Sequence, residues 1–100
     1  MINSKLRITP EAEQDIFSIV ASLQQNSNSA IVRKTLGEIK KQFQLLAEFP
    51  EAGRADGFDG TREVVMTGLP YITVYEQNND LITIVRVLRG VNEYSPEVDL

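Results

Sequence analysis

The chain has neither cysteine nor histidine among its 100 residues. Without cysteine there are no disulfides and no thiolate chemistry, and without histidine the commonest metal ligand and the usual general base near neutral pH are gone. A structural zinc site is close to excluded. Serine, cysteine and zinc hydrolase constellations that depend on imidazole cannot be assembled, so any catalysis must run on Arg, Lys, Tyr, Asp or Glu. No apolar run approaches the roughly 20 residues that cross a bilayer, and Met1-Ile2-Asn3-Ser4-Lys5 lacks the apolar stretch of a secretory signal. A cytoplasmic protein with no membrane contact is the expectation. There is no internal repeat, and the glycines from Gly53 to Gly60 do not follow a strand as a phosphate loop would, so no nucleotide cofactor is expected and no metal.

The residues that are present describe an ordinary globular chain. Apolar residues make up 42% and charged residues 24%, enough to bury a core over one domain spanning residues 1–100, with 91–100 expected as a tail that carries one short turn or frays. Fourteen acidic against ten basic side chains give a net charge of −4, a field that disfavours strong direct nucleic-acid binding. The charge is uneven. Arg33, Lys34, Lys40 and Lys41 fall on one predicted helix, while Arg54, Arg62, Arg86 and Arg89 belong to the C-terminal half.

The alternation in Lys5-Leu6-Arg7-Ile8 predicts a short strand that needs a larger sheet beside it. Thr9-Pro10-Glu11 reads as a helix start, and Ala12, Ile16, Ile19, Val20 and Leu23 continue one apolar stripe to about Gln24, with Phe17 widening it. Asn26-Ser27-Asn28-Ser29 breaks the pattern. A second helix follows through Ile31, Val32, Leu36, Ile39, Phe43 and Leu46 and ends before Pro50, with Gly37 a weak point unless its size permits close packing. The segment from Gly53 to Gly60 is the longest irregular stretch, where flexibility should concentrate. Residues 62–67, 71–76 and 81–88 are rich in β-branched and aromatic side chains, and the short turns at Gly68-Leu69-Pro70 and Asn78-Asn79-Asp80 make them an antiparallel meander. The expected fold is α+β: a short strand and a helical hairpin packed on a predominantly antiparallel sheet. The helices are expected on the Ile72/Val74 face of the central strand, leaving Tyr71, Thr73 and Tyr75 on the exposed or ligand-facing side.

Taken singly, the candidate functional residues have plain structural explanations. Arg54 could cap its turn or pair with Glu51 or Asp56; Arg62 and Glu63 point to opposite faces, as do Arg86 and Arg89. Tyr71, Tyr75 and Tyr94 suit packing at a sheet edge better than stacking on RNA bases. Glu63, Glu76, Asp80 and Glu93 form no recognisable carboxylate pair.

Over nine tenths of its length, however, the chain resembles the RelE/ParE superfamily of type II toxin-antitoxin toxins. The likeness is carried by Leu6-Arg7-Ile8-Thr9-Pro10-Glu11-Ala12-Glu13-Gln14-Asp15-Ile16, by Leu46-Ala47-Glu48-Phe49-Pro50-Glu51-Ala52-Gly53-Arg54, by Gly60-Thr61-Arg62-Glu63-Val64, by Tyr71-Ile72-Thr73-Val74-Tyr75-Glu76 and by Ile84-Val85-Arg86-Val87-Leu88-Arg89-Gly90. The resemblance implies a cytoplasmic toxin held inactive in a hetero-oligomer by a cognate antitoxin that wraps its body. It implies either of two targets: RelE-like members cut messenger RNA on the ribosome with cationic side chains and a late aromatic, and ParE-like members poison DNA gyrase. Here the positions for the RelE-like cations fall at Glu63, Val65 and Ile72, and the segments around Pro50 and Arg89-Gly90 are closer to the ParE-like branch, in which His-Gly often stands in place of Arg89-Gly90. The expected activity is gyrase inhibition with Arg54, Arg62, Arg86 and Arg89 as target contacts. The alternatives are a ribosome-dependent ribonuclease using Arg62, Arg89 and Tyr94, or a degenerate, non-toxic protein-binding domain.

Overall fold

The computed structural model describes residues 5–26, 28–55 and 60–90. Strand β1 (Lys5–Ile8) leads into helices α1 (Pro10–Asn26) and α2 (Ser29–Glu48), and strands β2 (Arg62–Val65), β3 (Tyr71–Asn78) and β4 (Leu81–Arg89) follow. The sheet order is β1-β4-β3-β2, with β1 parallel to β4 and the other two pairings antiparallel. The α+β expectation therefore stands, with boundaries that move by one or two residues at most element ends. The expected tail over 91–100, with Tyr94 and Glu93, lies outside the described residues, as do residues 56–59 of the long irregular segment.

Helix α1 starts on the predicted cap. Thr9 Oγ1 accepts from the Ala12 amide at 3.1 Å and donates to the Val85 carbonyl at 2.9 Å, so one hydroxyl both caps the helix and ties it to β4. Asn28 does the same local work for α2, its side chain accepting from the Ile31 amide at 3.0 Å. At the far end of α2, the Gln42 amide donates to the Thr67 carbonyl at 2.9 Å and its oxygen accepts from the Thr67 amide at 3.0 Å, which anchors the β2–β3 turn to the helix. That turn and the β3–β4 turn place Gly68 and Asn79 at positive φ, 76° and 55°, where glycine and asparagine cost least.

The expectation about sheet faces is overturned. Tyr71, Thr73 and Tyr75 are buried, and the two tyrosines pack with Ile39, Phe43 and Leu46 of α2 and with Ile82, Ile84 and Val87 of β4. The helices thus cover the tyrosine face. A register shift in β4 explains how. Val74 pairs with Arg86 but Tyr75 pairs with Ile84, so Val85 is an extra residue, and the bulge changes which parity of β4 shares a face with the tyrosines. Ile82, Ile84 and Val87 thereby join one core, which a regular strand would have split between two faces. Ile72 and Val74, on the face away from the helices, are also little exposed, so simple alternation could not choose between the two faces.

Candidate target-binding and partner-binding surface

The turn after α2 is built around a buried phenol. Tyr75 is fully buried, yet its hydroxyl accepts from the Gly53 amide at 2.8 Å and donates to the Pro50 carbonyl at 2.8 Å. A polar tip satisfied twice by backbone can sit in a core without penalty. Gly53 is required by space, because a Cβ there would lie 2.7 Å from the Tyr75 oxygen and 2.8 Å from the Glu63 carbonyl. Arg62 completes this clamp by donating from a guanidinium nitrogen to the Gly53 carbonyl at 2.9 Å.

Held this way, residue 54 lies alongside β2. The Arg54 amide donates to the Glu63 carbonyl at 2.8 Å and the Glu63 amide to the Arg54 carbonyl at 3.1 Å, a one-residue extension of the sheet. The two side chains approach to 3.9 Å, with Arg54 72% and Glu63 31% exposed. Two shallow grooves, of about 280 and 410 Å³, meet at Ala52, Val64 and Val65. The first runs under Leu45 and Phe49 at the end of α2 and is mostly apolar; the second holds Arg54, Glu63 and Ile72. Phe49 and Val65 are 60% and 57% exposed, so this end of the molecule presents large apolar side chains to solvent.

Of the four arginines expected to contact a target, Arg54 and Arg62 are brought together around Gly53 and the other two lie apart from them. Arg62 sits opposite Tyr75 and Arg89 opposite Tyr71, on the two sides of β3. Strand geometry puts their Cα atoms about 16 Å apart, from roughly 13 Å along β3 and about 10 Å across two strand spacings. Arg86 is engaged elsewhere: its Nε and a terminal nitrogen donate to the two oxygens of Asp15 at 2.6 and 2.9 Å, and Asp15 also accepts from the Val87 amide at 2.9 Å. The hydrogen bond from Arg86 holds the Asp15 carboxyl below its ordinary pKa against the opposing effect of burial, and Asp15 in turn raises that of Arg86. Arg89 is exposed and borders a hollow with Tyr71, Ser18 and Ser22. The glycine after it is tight on the sheet, since a Cβ at Gly90 would come within 2.5 Å of the end of the Ile72 side chain.

Base stacking by Tyr71 or Tyr75 is excluded by their burial; Tyr94 lies outside the described residues. Asp15 and the Tyr75 hydroxyl were missed as organising groups, because each acts on a partner far along the chain: Asp15 on Arg86, and Tyr75 on the Pro50–Gly53 turn. Among the described residues no cluster of three carboxylates could hold a metal ion, and no helix is long and apolar enough to cross a membrane.

A two-helix layer on a four-stranded sheet with β1 and β4 parallel is the fold of the RelE/ParE toxins. A chain of the chromosomal ParDE toxin-antitoxin system from P. aeruginosa superposes with a TM-score of 0.77 at 21% identity, over 87% of this chain and 96% of that one. The isolated E. coli RelE toxin superposes with a TM-score of 0.57 at 15% identity, over 97% and 99% of the two chains. A Sinorhizobium fredii protein named "Putative toxin Y4kP" is 29% identical over 98 residues, 98% of this chain and 99% of its own length. Residues 6–94 match the family described as the ParE toxin of type II toxin-antitoxin system, parDE. The chain belongs to that ParE toxin family.

Proposed function

We propose that this toxin-family chain is held inactive in the cytoplasm by a cognate antitoxin and, once free, inhibits DNA gyrase. The observation that carries the choice of target is the fate of the three positions where a RelE-like ribonuclease places cations. Glu63 pairs with Val74 and Val65 with Ile72, so all three share the face away from the helices and line one groove. That groove offers a carboxylate and aliphatic side chains where a cleavage transition state would need converging positive charge. Arg54, its one cation among the described lining residues, lies within ion-pair distance of Glu63. An inhibitor of a protein target acts by surface complementarity and has no such requirement.

Within this reading Arg54 and Arg89, both exposed, are the arginines positioned to reach a target, while Arg62 and Arg86 shape the body that presents them. The apolar groove beneath Leu45 and Phe49 suits an antitoxin segment carrying apolar side chains. The test is a paired assay on the purified free chain: supercoiling by gyrase in one reaction, messenger cleavage on programmed ribosomes in the other. Inhibited supercoiling without cleavage is expected, and co-purification with the product of the adjacent small reading frame would identify the antitoxin. Cleavage that is lost on Arg89→Ala or Tyr94→Phe, with gyrase unaffected, would replace this reading by the ribonuclease. Inactivity in both reactions would indicate a degenerate, non-toxic member.

A further inference from the structure

We propose that the outward face of α2, centred on Gly37, is a contact surface for the phosphodiester backbone of duplex DNA. Two independent features of the helix meet there. The first is charge. Arg33, Lys34, Lys40 and Lys41 are all exposed and, at 100° per residue, occupy with Gly37 and Gln44 an arc of about 120° opposite the buried Val32, Ile39, Phe43 and Leu46. They form two cation pairs about 10 Å apart along the axis. Among the described residues none of the four is in an ion pair.

The second feature is the glycine between the pairs. Gly37 costs the helix about 1 kcal/mol against Ala. Nothing among the described residues requires it, because a Cβ built there meets no atom of theirs within 4 Å. The missing side chain leaves the helix backbone open to close approach from outside, between two pairs of cations.

A polyanion fits this face better than a folded protein does. On the arc itself only Gly37 lies between the cation pairs, with Leu36, about one-third exposed, at its edge, so the face lacks a central apolar anchor for a protein interface; three of the four cations are lysine, which is depleted from such interfaces and holds phosphate as a point charge. The choice of duplex DNA among polyanions rests on the gyrase reading, since gyrase acts on that substrate. The contact is weak by itself, because the chain as a whole carries a net charge of −4.

Fluorescence anisotropy of a labelled DNA duplex with the full chain tests this directly and needs no gyrase. Four phosphate contacts predict a slope of about −3.6 in log K against log salt, so binding should fall about 150-fold between roughly 50 and 200 mM salt. The double substitution Lys40→Ala with Lys41→Ala should weaken binding at least about tenfold at low salt and halve the slope. Gly37→Gln should raise thermal stability through better helix propensity while weakening DNA binding, a combination that a purely structural role for Gly37 would not produce. Absence of DNA binding at low salt, equal binding by either variant, or tighter binding of duplex RNA or polyglutamate would overturn the proposal. Supercoiling measured on the same preparation separates the two readings: gyrase inhibition without DNA binding sinks this inference alone, and salt-dependent DNA binding without gyrase inhibition sinks the gyrase reading and leaves this surface standing.

Discussion

Replacing Tyr75 by Phe removes one oxygen atom and should loosen the whole turn that follows α2. The hydroxyl is the acceptor for the buried Gly53 amide and the donor to the half-buried Pro50 carbonyl, each at 2.8 Å. An orphaned buried donor costs about 1–3 kcal/mol, and the Pro50 carbonyl, which water can reach, adds less than about 1 kcal/mol. The sum, about 1–4 kcal/mol, corresponds to a fall in Tm of roughly 5–20 °C for a domain of this size. Urea unfolding followed by circular dichroism gives the free energy, and amide exchange at Gly53 reports the local event. The Gly53 amide should exchange faster in the variant than the amides of β3 do. Gly53→Ala should be comparably harmful for a different reason: its Cβ would press within 2.8 Å of the Glu63 carbonyl, a backbone atom committed to the Arg54 bridge. A loss below about 0.5 kcal/mol for Tyr75→Phe, or unchanged exchange at Gly53, would refute the view that this phenol organises the turn.

The Asp15 carboxyl has a depressed pKa in the folded state, so its stabilising effect is present above the unfolded carboxylate value and is lost as pH falls through the folded one; Asp15→Asn should therefore flatten the acid limb of the stability profile, and a limb as steep as in the parent would disprove this. Asn28→Ala removes the cap of α2 and should cost about 1 kcal/mol by chemical denaturation, with no cost meaning that another group caps the helix. Gln42→Ala loses two hydrogen bonds to Thr67, but both are exposed and water replaces them, so a cost of about 0.5–1 kcal/mol is expected; more than about 2 kcal/mol would show that the β2–β3 turn depends on this tether for its conformation.

The elements themselves were written in local residue chemistry. Thr9-Pro10-Glu11 marks a helix start because a hydroxyl, a fixed φ and an acid suit that end, and the dense β-branched content after residue 60 marks strands for equally local reasons. The order of these elements and the long likeness in sequence were enough to suggest the toxin superfamily. What residue order alone could not decide was which face of β3 takes the helices. Both faces carry residues that can be buried, Tyr71 and Tyr75 on one and Ile72 and Val74 on the other. The outcome depended on the bulge at Val85, which aligns Ile82, Ile84 and Val87 with the tyrosines, and on a hydroxyl finding two backbone partners over 20 residues away in sequence. The candidate arginines followed the same rule. Their presence was legible, but Arg86 was assigned to Asp15 across 71 residues and Arg62 to the Gly53 carbonyl by tertiary packing. Caps, periods and turns act within a few residues and can be read from neighbours; side-chain pairing acts through space, and only the folded chain decides which charges are engaged at home and which face outward.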